Sequence, residues 1–327
     1  MQVLTKRKDI PSSSNMNKNI SNNTKLKQLL DEIKLNKFVY LFILPGMIYY
    51  IIFAYTPMYG ITLAFKEFMV GKGIVGSPWI GLAHFRNLMI EAEFWHAFKN
   101  TLHISVFKIM TGFPAPIILA ILFNEMAKGT YKKVLQTVYT FPNFLSWVVV
   151  SGIMINFFSS TGIVNQVLNA IGLKPYEFLA DTKLIRPILY ITGIWKSAGW
   201  SSIIYLAAIS GINPELYEAA IVDGASRLQR IIHITWPGMK STTIILFVLS
   251  VGGVMNAGFD QIFNLTNPVV RQATEIIDTY VYRITFGSGM FDYGFSTAVG
   301  LFKSVINFIL LVGANKVVKL FNEGGIF

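Results

Sequence analysis

Three lysines, Lys108, Lys196 and Lys303, lie inside long apolar runs of the chain. A cation there is costly, so it faces protein, a water-filled space or the membrane surface. Trp195, Trp200 and Tyr205 share the run that holds Lys196. Aromatic faces stack on the C–H faces of sugar rings, and ammonium groups bind hydroxyls and carboxylates. Lys196, Trp195, Trp200 and Lys303 therefore have the chemistry of a cavity for an acidic, polyhydroxylated solute, such as a uronate-containing oligosaccharide. Snorkelling of each long side chain to the outer headgroups explains the same placement, and both readings stand.

Other chemistries are missing. The chain has no Cys, which removes thiolate metal sites, disulfides and a Cys nucleophile. His84, His96, His103 and His233 are too scattered for a ligand cluster. The runs around Gly193 and Gly300 end in Lys-Ser, but each is too short for a phosphate-binding loop and lies in an apolar segment. No catalytic residue, metal site or ATP site is expected in this chain.

The most specific stretch is polar, Asn213 to Met239, and it separates two apolar segments. Asn213 can cap a helix, Pro214 suits its first position and Glu215 favours the positive end of its dipole. Gly224 is costly inside a helix, so the sequence predicts a turn between two short helices there. Trp236-Pro237-Gly238 is expected to close the stretch before the next apolar span.

These features belong to a chain that is mostly apolar. Of its 327 residues 53% are hydrophobic and only 14% charged, with a mean hydropathy of +0.51. Soluble domains carry about 25% charged residues, so the class is a polytopic membrane protein. The net charge of +11 would suit nucleic acid, but the basic residues cluster at the ends of apolar runs. That is the positive-inside pattern, and no nucleic-acid partner is expected.

Residues 1–37 are polar and basic, without an apolar stretch of the kind a cleaved signal needs, and are expected to be a cytoplasmic tail. Six spans of the ~20 residues that cross a bilayer follow. They are expected near Phe38–Ile61, His103–Phe123, Leu135–Phe158, Pro187–Ile209, Ser241–Ile262 and Thr297–Val318. Pro114 and Pro116 interrupt the second span and Gly252-Gly253 the fifth, either to line a cavity or to kink the helix for packing. Lys128, Lys132 and Lys133, then Arg227, Arg230 and Lys240, then Lys316 and Lys319 mark the cytoplasmic side. Both termini and the 213–239 stretch then share that side. The outer loops, 66–98 and 263–296, are rich in aromatic and polar residues. They suit either reception of an external protein or interfacial packing.

The 213–239 stretch closely resembles the Glu-Ala-Ala loop of membrane subunits of binding-protein-dependent ABC importers. The matching positions are Glu218, Ala219, Ala220, Gly224, Ile234 and Pro237, with Trp236 where Leu is usual. Asp223-Gly224-Ala225, the Leu44-Pro45-Gly46 start and the run Tyr55 to Phe65 are similar to LplB-type permeases of the maltose-type carbohydrate importers. The resemblance implies an all-α type-1 importer transmembrane domain with six spans. It divides the chain into a cytoplasmic tail 1–37, a first span with its outer loop 38–97, the importer domain 98–318 and a C-terminal tail 319–327.

The resemblance also implies function. The chain would be a multi-pass permease of a bacterial cytoplasmic membrane, importing oligosaccharides. Partners would be a second homologous permease, two ATPase subunits that bind Mg-ATP, an extracytoplasmic solute-binding protein and membrane lipid. Glu218, Ala219, Ala220, Asp223, Gly224 and Pro237 would couple to the ATPase. The alternative class is an ion-coupled secondary transporter, supported only by Glu125 and Asp260 near span ends.

Overall fold

The computed structural model describes residues 31–32, 34–127, 129–287 and 292–320. Most of both expected tails, together with Lys128, lies outside these residues. Among the described residues the secondary structure is helical apart from one isolated antiparallel bridge, Lys66 with Trp79. The chain divides into two units, residues 1–60 and 61–327.

The first unit carries helix α1, Lys37–Tyr50, which runs on through a widened turn at Ile51–Tyr55. Pro57 supplies the reason for the widening. It has no N–H for the carbonyl of Phe53, and its ring clashes with that carbonyl in a regular helix. Thr56 Oγ1 donates to the Ile51 carbonyl at 2.8 Å within the same turn. Apolar side chains such as Phe42, 85% exposed, present the surface that lipid covers.

After short helical turns as far as Gly76, the second unit carries α2, Ala83–Ile90, and then α3, Ala92–Gly112, which continues as α4, Pro114–Glu125. Pro114 stands at the first helical position, where its missing N–H removes only one bond. The pair therefore forms one stretch of 34 residues, Ala92–Glu125. After α5, Thr130–Thr140, a tight turn at Phe141–Phe144 leads to α6, Trp147–Phe158. The long helix α7, Ile185–Ser210, packs on α3, α4 and α5.

Beyond α7 come α8, Pro214–Val222, and α9, Arg227–Arg230, then a second widened turn, Ile231–Thr235, and α10, Trp236–Gly252. Residues 253–258 are not helical, and α11, Phe259–Leu265, follows. The last elements are α12, Ile277–Tyr282, and α13, Tyr293–Leu320, which packs along α10. Three apolar clusters hold the unit. Phe94, Met255 and Val299 belong to one, Ile104, Leu189 and Ile262 to the next, and Ile117, Tyr205 and Met239 to the third.

Among the described residues, five helical stretches are long and apolar enough to cross a membrane: Lys37–Phe65, Ala92–Glu125, Trp147–Ala170, Arg227–Gly252 and Tyr293–Leu320. The expected fourth span, Pro187–Ile209, lies in α7, a helix of 26 residues. Gly, Ser and Thr lower its hydropathy, and they are the small residues that let neighbouring helices approach.

Three expectations need correction. The third span, Leu135–Phe158, is divided, because Pro142 and the Ser146 cap end one helix and start another. Ser146 Oγ accepts from the Val149 N–H at 3.3 Å and fixes the new start. The fifth span, Ser241–Ile262, stops at Gly252, as its glycine pair suggested, and residues 253–258 carry the break. Trp236-Pro237-Gly238 does not close the polar stretch with a loop. The widened turn Ile231–Thr235 absorbs Pro237, and the helix runs unbroken as Arg227–Gly252.

Candidate functional site

Residues 213–239 form the short helix α8, a turn, and the first turns of the long helical stretch Arg227–Gly252. Asn213 Oδ1 accepts from the Glu215 N–H at 3.1 Å and caps α8, with Pro214 in the first turn. At the other end Gly224 has φ of +77°, a left-handed conformation that costs a residue with a Cβ about 1–2 kcal/mol. The Ala225 N–H bonds the Ala220 carbonyl at 2.8 Å and the Gly224 N–H bonds the Ile221 carbonyl at 3.1 Å. That pair of bonds is the Schellman stop, so Gly224 supplies the expected turn. Ser226 and Gln229 then form a reciprocal capping box that starts α9.

One side-chain bond ties the two arms together. Tyr217 Oη and Thr235 Oγ1 are 2.9 Å apart, and Thr235 is fully buried. Tyr217→Phe is expected to remove about 1 kcal/mol of this tie. Hydrogen exchange of the amides of Leu216–Val222 should then rise roughly fivefold, while that of α7 stays unchanged.

The residues singled out for coupling are placed as follows. Glu218, Ala219, Asp223 and Gly224 are exposed, Ala220 is half-buried, and Pro237 is exposed in the first turn of α10. Beside them the hairpin shows apolar side chains that sequence reading did not weight: Val222 is 87% exposed and Leu228 65%. Apolar residues at the tip of an otherwise polar hairpin are a docking surface in want of a partner.

A second feature is a cavity of about 650 Å³ within the second unit. It is walled by α3, α7, the Phe141–Phe144 turn, α6, α10 and the start of α11. The face of α7 turned to it repeats at Gly193, Ser197, Ser201 and Ile204-Tyr205, as the helical period requires. Lys196 reaches the same space from the edge of that face. Its Nζ donates to the Asn143 carbonyl at 2.8 Å and stands 5.6 Å from the centre of the Trp147 ring.

Three residues proposed beside Lys196 lie elsewhere. Trp195 is exposed and one residue off the cavity face. Trp200 packs edge-on against Phe144 at 5.5 Å, outside the cavity wall. Lys303 donates to Asp278 Oδ1 on α12 at 2.5 Å and is not among the residues that line the cavity. Lys108, another of the three lysines in apolar runs, lines the cavity.

The ends of α3 and α7 near Asn100 and Arg186 are clamped. Arg186 donates to the Ala273 carbonyl at 2.9 Å and to Asn100 Oδ1 at 2.8 Å, and Asn100 donates to the Gln272 and Glu275 carbonyls. Arg283 pairs with Glu275 and with Glu93, each at 2.7 Å. These bonds fix the segment after α11 onto α3 and α7.

A family model described as binding-protein-dependent transport system inner membrane component matches residues 112–320. Protein LplB of Bacillus subtilis is 40% identical over 296 residues, 90% of this chain and 92% of that protein. The polygalacturonan/rhamnogalacturonan transport system permease protein YteP of the same organism is 42% identical over 306 residues, 93% of this chain and 94% of that one. A crystal structure of a bacterial ABC transporter involved in the import of the acidic polysaccharide alginate matches with a TM-score of 0.81 at 40% identity, covering 89% of this chain and 98% of its own. A bacterial alginate ABC transporter in complex with an alginate pentasaccharide-bound periplasmic protein matches with a TM-score of 0.83 at 38% identity, covering 91% and 100%.

Proposed function

Because the chain belongs to the family of binding-protein-dependent transport system inner membrane components, we propose that it is the permease subunit of an ATP-driven importer of acidic, polysaccharide-derived oligosaccharides. The observation that carries the reading is the hairpin 213–239, a rigid two-helix unit with an exposed apolar tip. ATP is bound with Mg²⁺ in a separate pair of ATPase subunits, and this hairpin docks in a groove of one of them. Glu218 and Asp223 meet polar groups of that groove, Ala219 and Ala220 allow close approach, and Gly224 sets the turn. Pro237, at the foot of α10, passes the motion to the helix that borders the cavity.

A second, homologous permease completes the pore, and an extracytoplasmic solute-binding protein delivers the saccharide. Closure of the ATPase pair on ATP rearranges the spans, so that access alternates between the two sides. The hairpin and both termini face the cytoplasm, in keeping with the basic residues beside them. The acidic substrate class is supported by the names of the relatives and by the cations that line the cavity.

Uptake of labelled oligogalacturonate tests the reading. Uptake should persist when a protonophore collapses the ion gradient and cease when cellular ATP is depleted. The opposite pattern would establish an ion-coupled secondary transporter. Lys196→Met is expected to lower that uptake roughly tenfold, since a charge-assisted hydrogen bond contributes on the order of 1.5 kcal/mol or more. Unchanged uptake would remove Lys196 from the pathway and leave it as a brace on the Asn143 carbonyl.

A further inference from the structure

We infer that Lys108 reads the substrate's carboxylate: its ammonium is a binding position for the uronate groups of the saccharide as they pass through the cavity. The inference rests on the acidic importer proposed above and adds the residue that makes the cavity selective.

Lys108 lies in the apolar stretch Ala92–Glu125 and is half-buried, yet it has no counter-charge among the described residues. Its Nζ donates to the Ala257 carbonyl at 2.7 Å and to Gln261 Oε1 at 2.5 Å, both neutral acceptors. The ion pairs among the described residues are Arg283 with Glu93, Arg283 with Glu275, and Lys303 with Asp278. Lys303 shows how this protein treats a lysine that has only to be accommodated: it supplies an aspartate. Lys108 and Lys196 receive none, and the described residues lining their shared cavity include no Asp or Glu. The described lining therefore holds two cations and no anion, which raises the local concentration of anionic solute.

The position of Lys108 is built rather than incidental. Gln261 is 1% exposed, and its Nε2 donates to the Leu189 carbonyl at 2.7 Å and to Thr192 Oγ1 at 2.8 Å. Those bonds orient the amide so that its oxygen faces the ammonium. The Ala257 carbonyl belongs to the non-helical residues 253–258, where the helical ladder is interrupted. An ammonium has three donors, and the protein engages two of them. A uronate carboxylate takes the third and supplies the missing charge. Tyr190 Oη also belongs to a residue that lines the cavity and is buried without a hydrogen-bond partner, a position suited to a sugar hydroxyl.

The bland role for Lys108 is to satisfy the carbonyl at the helix break, and substrate choice separates the two. Cells producing the whole transporter would be given oligogalacturonate or its methyl ester, which has the same sugar units without the charge. Lys108→Met is expected to reduce oligogalacturonate uptake on the order of tenfold while changing methyl-ester uptake less than twofold. Lys108→Gln keeps a donor for the Ala257 carbonyl without the charge, and should show the same selective loss. Lys108→Arg should restore part of the acidic uptake. Equal loss of both substrates in Lys108→Gln, or no loss in either variant, would overturn the inference. Failure of the wild type to import oligogalacturonate at all would instead overturn the proposed substrate class, before any variant is read.

Discussion

Gly224→Asp is expected to abolish uptake, by tenfold at the least, while the chain still inserts and accumulates in the membrane. The backbone at Gly224 has φ of +77°, so any side chain there costs about 1–2 kcal/mol in the left-handed region. Space within the chain is no obstacle, because a Cβ at Gly224 would meet nothing within 4 Å. The spans are therefore untouched and insertion proceeds. What changes is the outer surface of the turn, where a new carboxylate joins Asp223 on the proposed docking face. Gly224→Asn keeps the size and the tolerance for positive φ without the charge, and should retain a measurable fraction of uptake. Uptake at the wild-type level in Gly224→Asp, with normal membrane abundance, would count against docking by this hairpin.

The second large effect concerns folding rather than coupling. Gly199 on α7 lies directly under α5, and a Cβ there would be 2.0 Å from the Tyr139 carbonyl oxygen and 2.8 Å from the Thr140 amide nitrogen. Both are backbone atoms, so no rotamer change relieves the clash. Gly199→Ala must push α5 away from α7, and Gly199→Leu must do so further. Over-packing of this kind typically costs about 1–3 kcal/mol, and more where backbone has to move. Thermal unfolding in detergent should show a clearly lowered midpoint for the alanine variant and little folded leucine variant. A midpoint unchanged in Gly199→Ala would mean that α5 is free to shift at no cost. That would also remove the rigid floor beneath the Phe141–Phe144 turn, where Asn143 accepts from Lys196.

The sequence was informative where spacing along the chain equals neighbourhood in space. The 213–239 hairpin is of this kind: Asn213, Pro214, Gly224 and the Ser226–Gln229 box act within a few residues of one another. The glycine pair at 252–253 likewise marked the break in the fifth span. Hydropathy failed at α5 for a physical reason. Val134, Leu135, Val138 and Tyr139 lie on one side of an amphipathic helix, and their apolar run merged with that of α6 across Pro142.

The cavity was legible only in part. Lys196 was singled out by charge in an apolar run, and it does line the cavity. Trp195 was placed with it by adjacency, although a step of one residue turns a side chain by about 100° around the helix. Lys303 and Asp278 are 25 positions apart, and Lys108 meets the carbonyl of Ala257 across 149. No periodicity within one element reveals such partners. They follow from how α3, α12 and α13 pack, and that packing decides which lysine is neutralised and which is left to face the cavity.

The central claim is that this chain is driven by ATP hydrolysed in a partner, and one purification tests it most directly. Tagged protein would be drawn from its own cells in mild detergent, its companions identified and their ATPase rate measured. The account predicts recovery of an ATPase and a second permease, with hydrolysis that rises when solute-binding protein loaded with oligogalacturonate is added. Recovery of this chain alone, with no nucleotide hydrolysis under any addition, would contradict it.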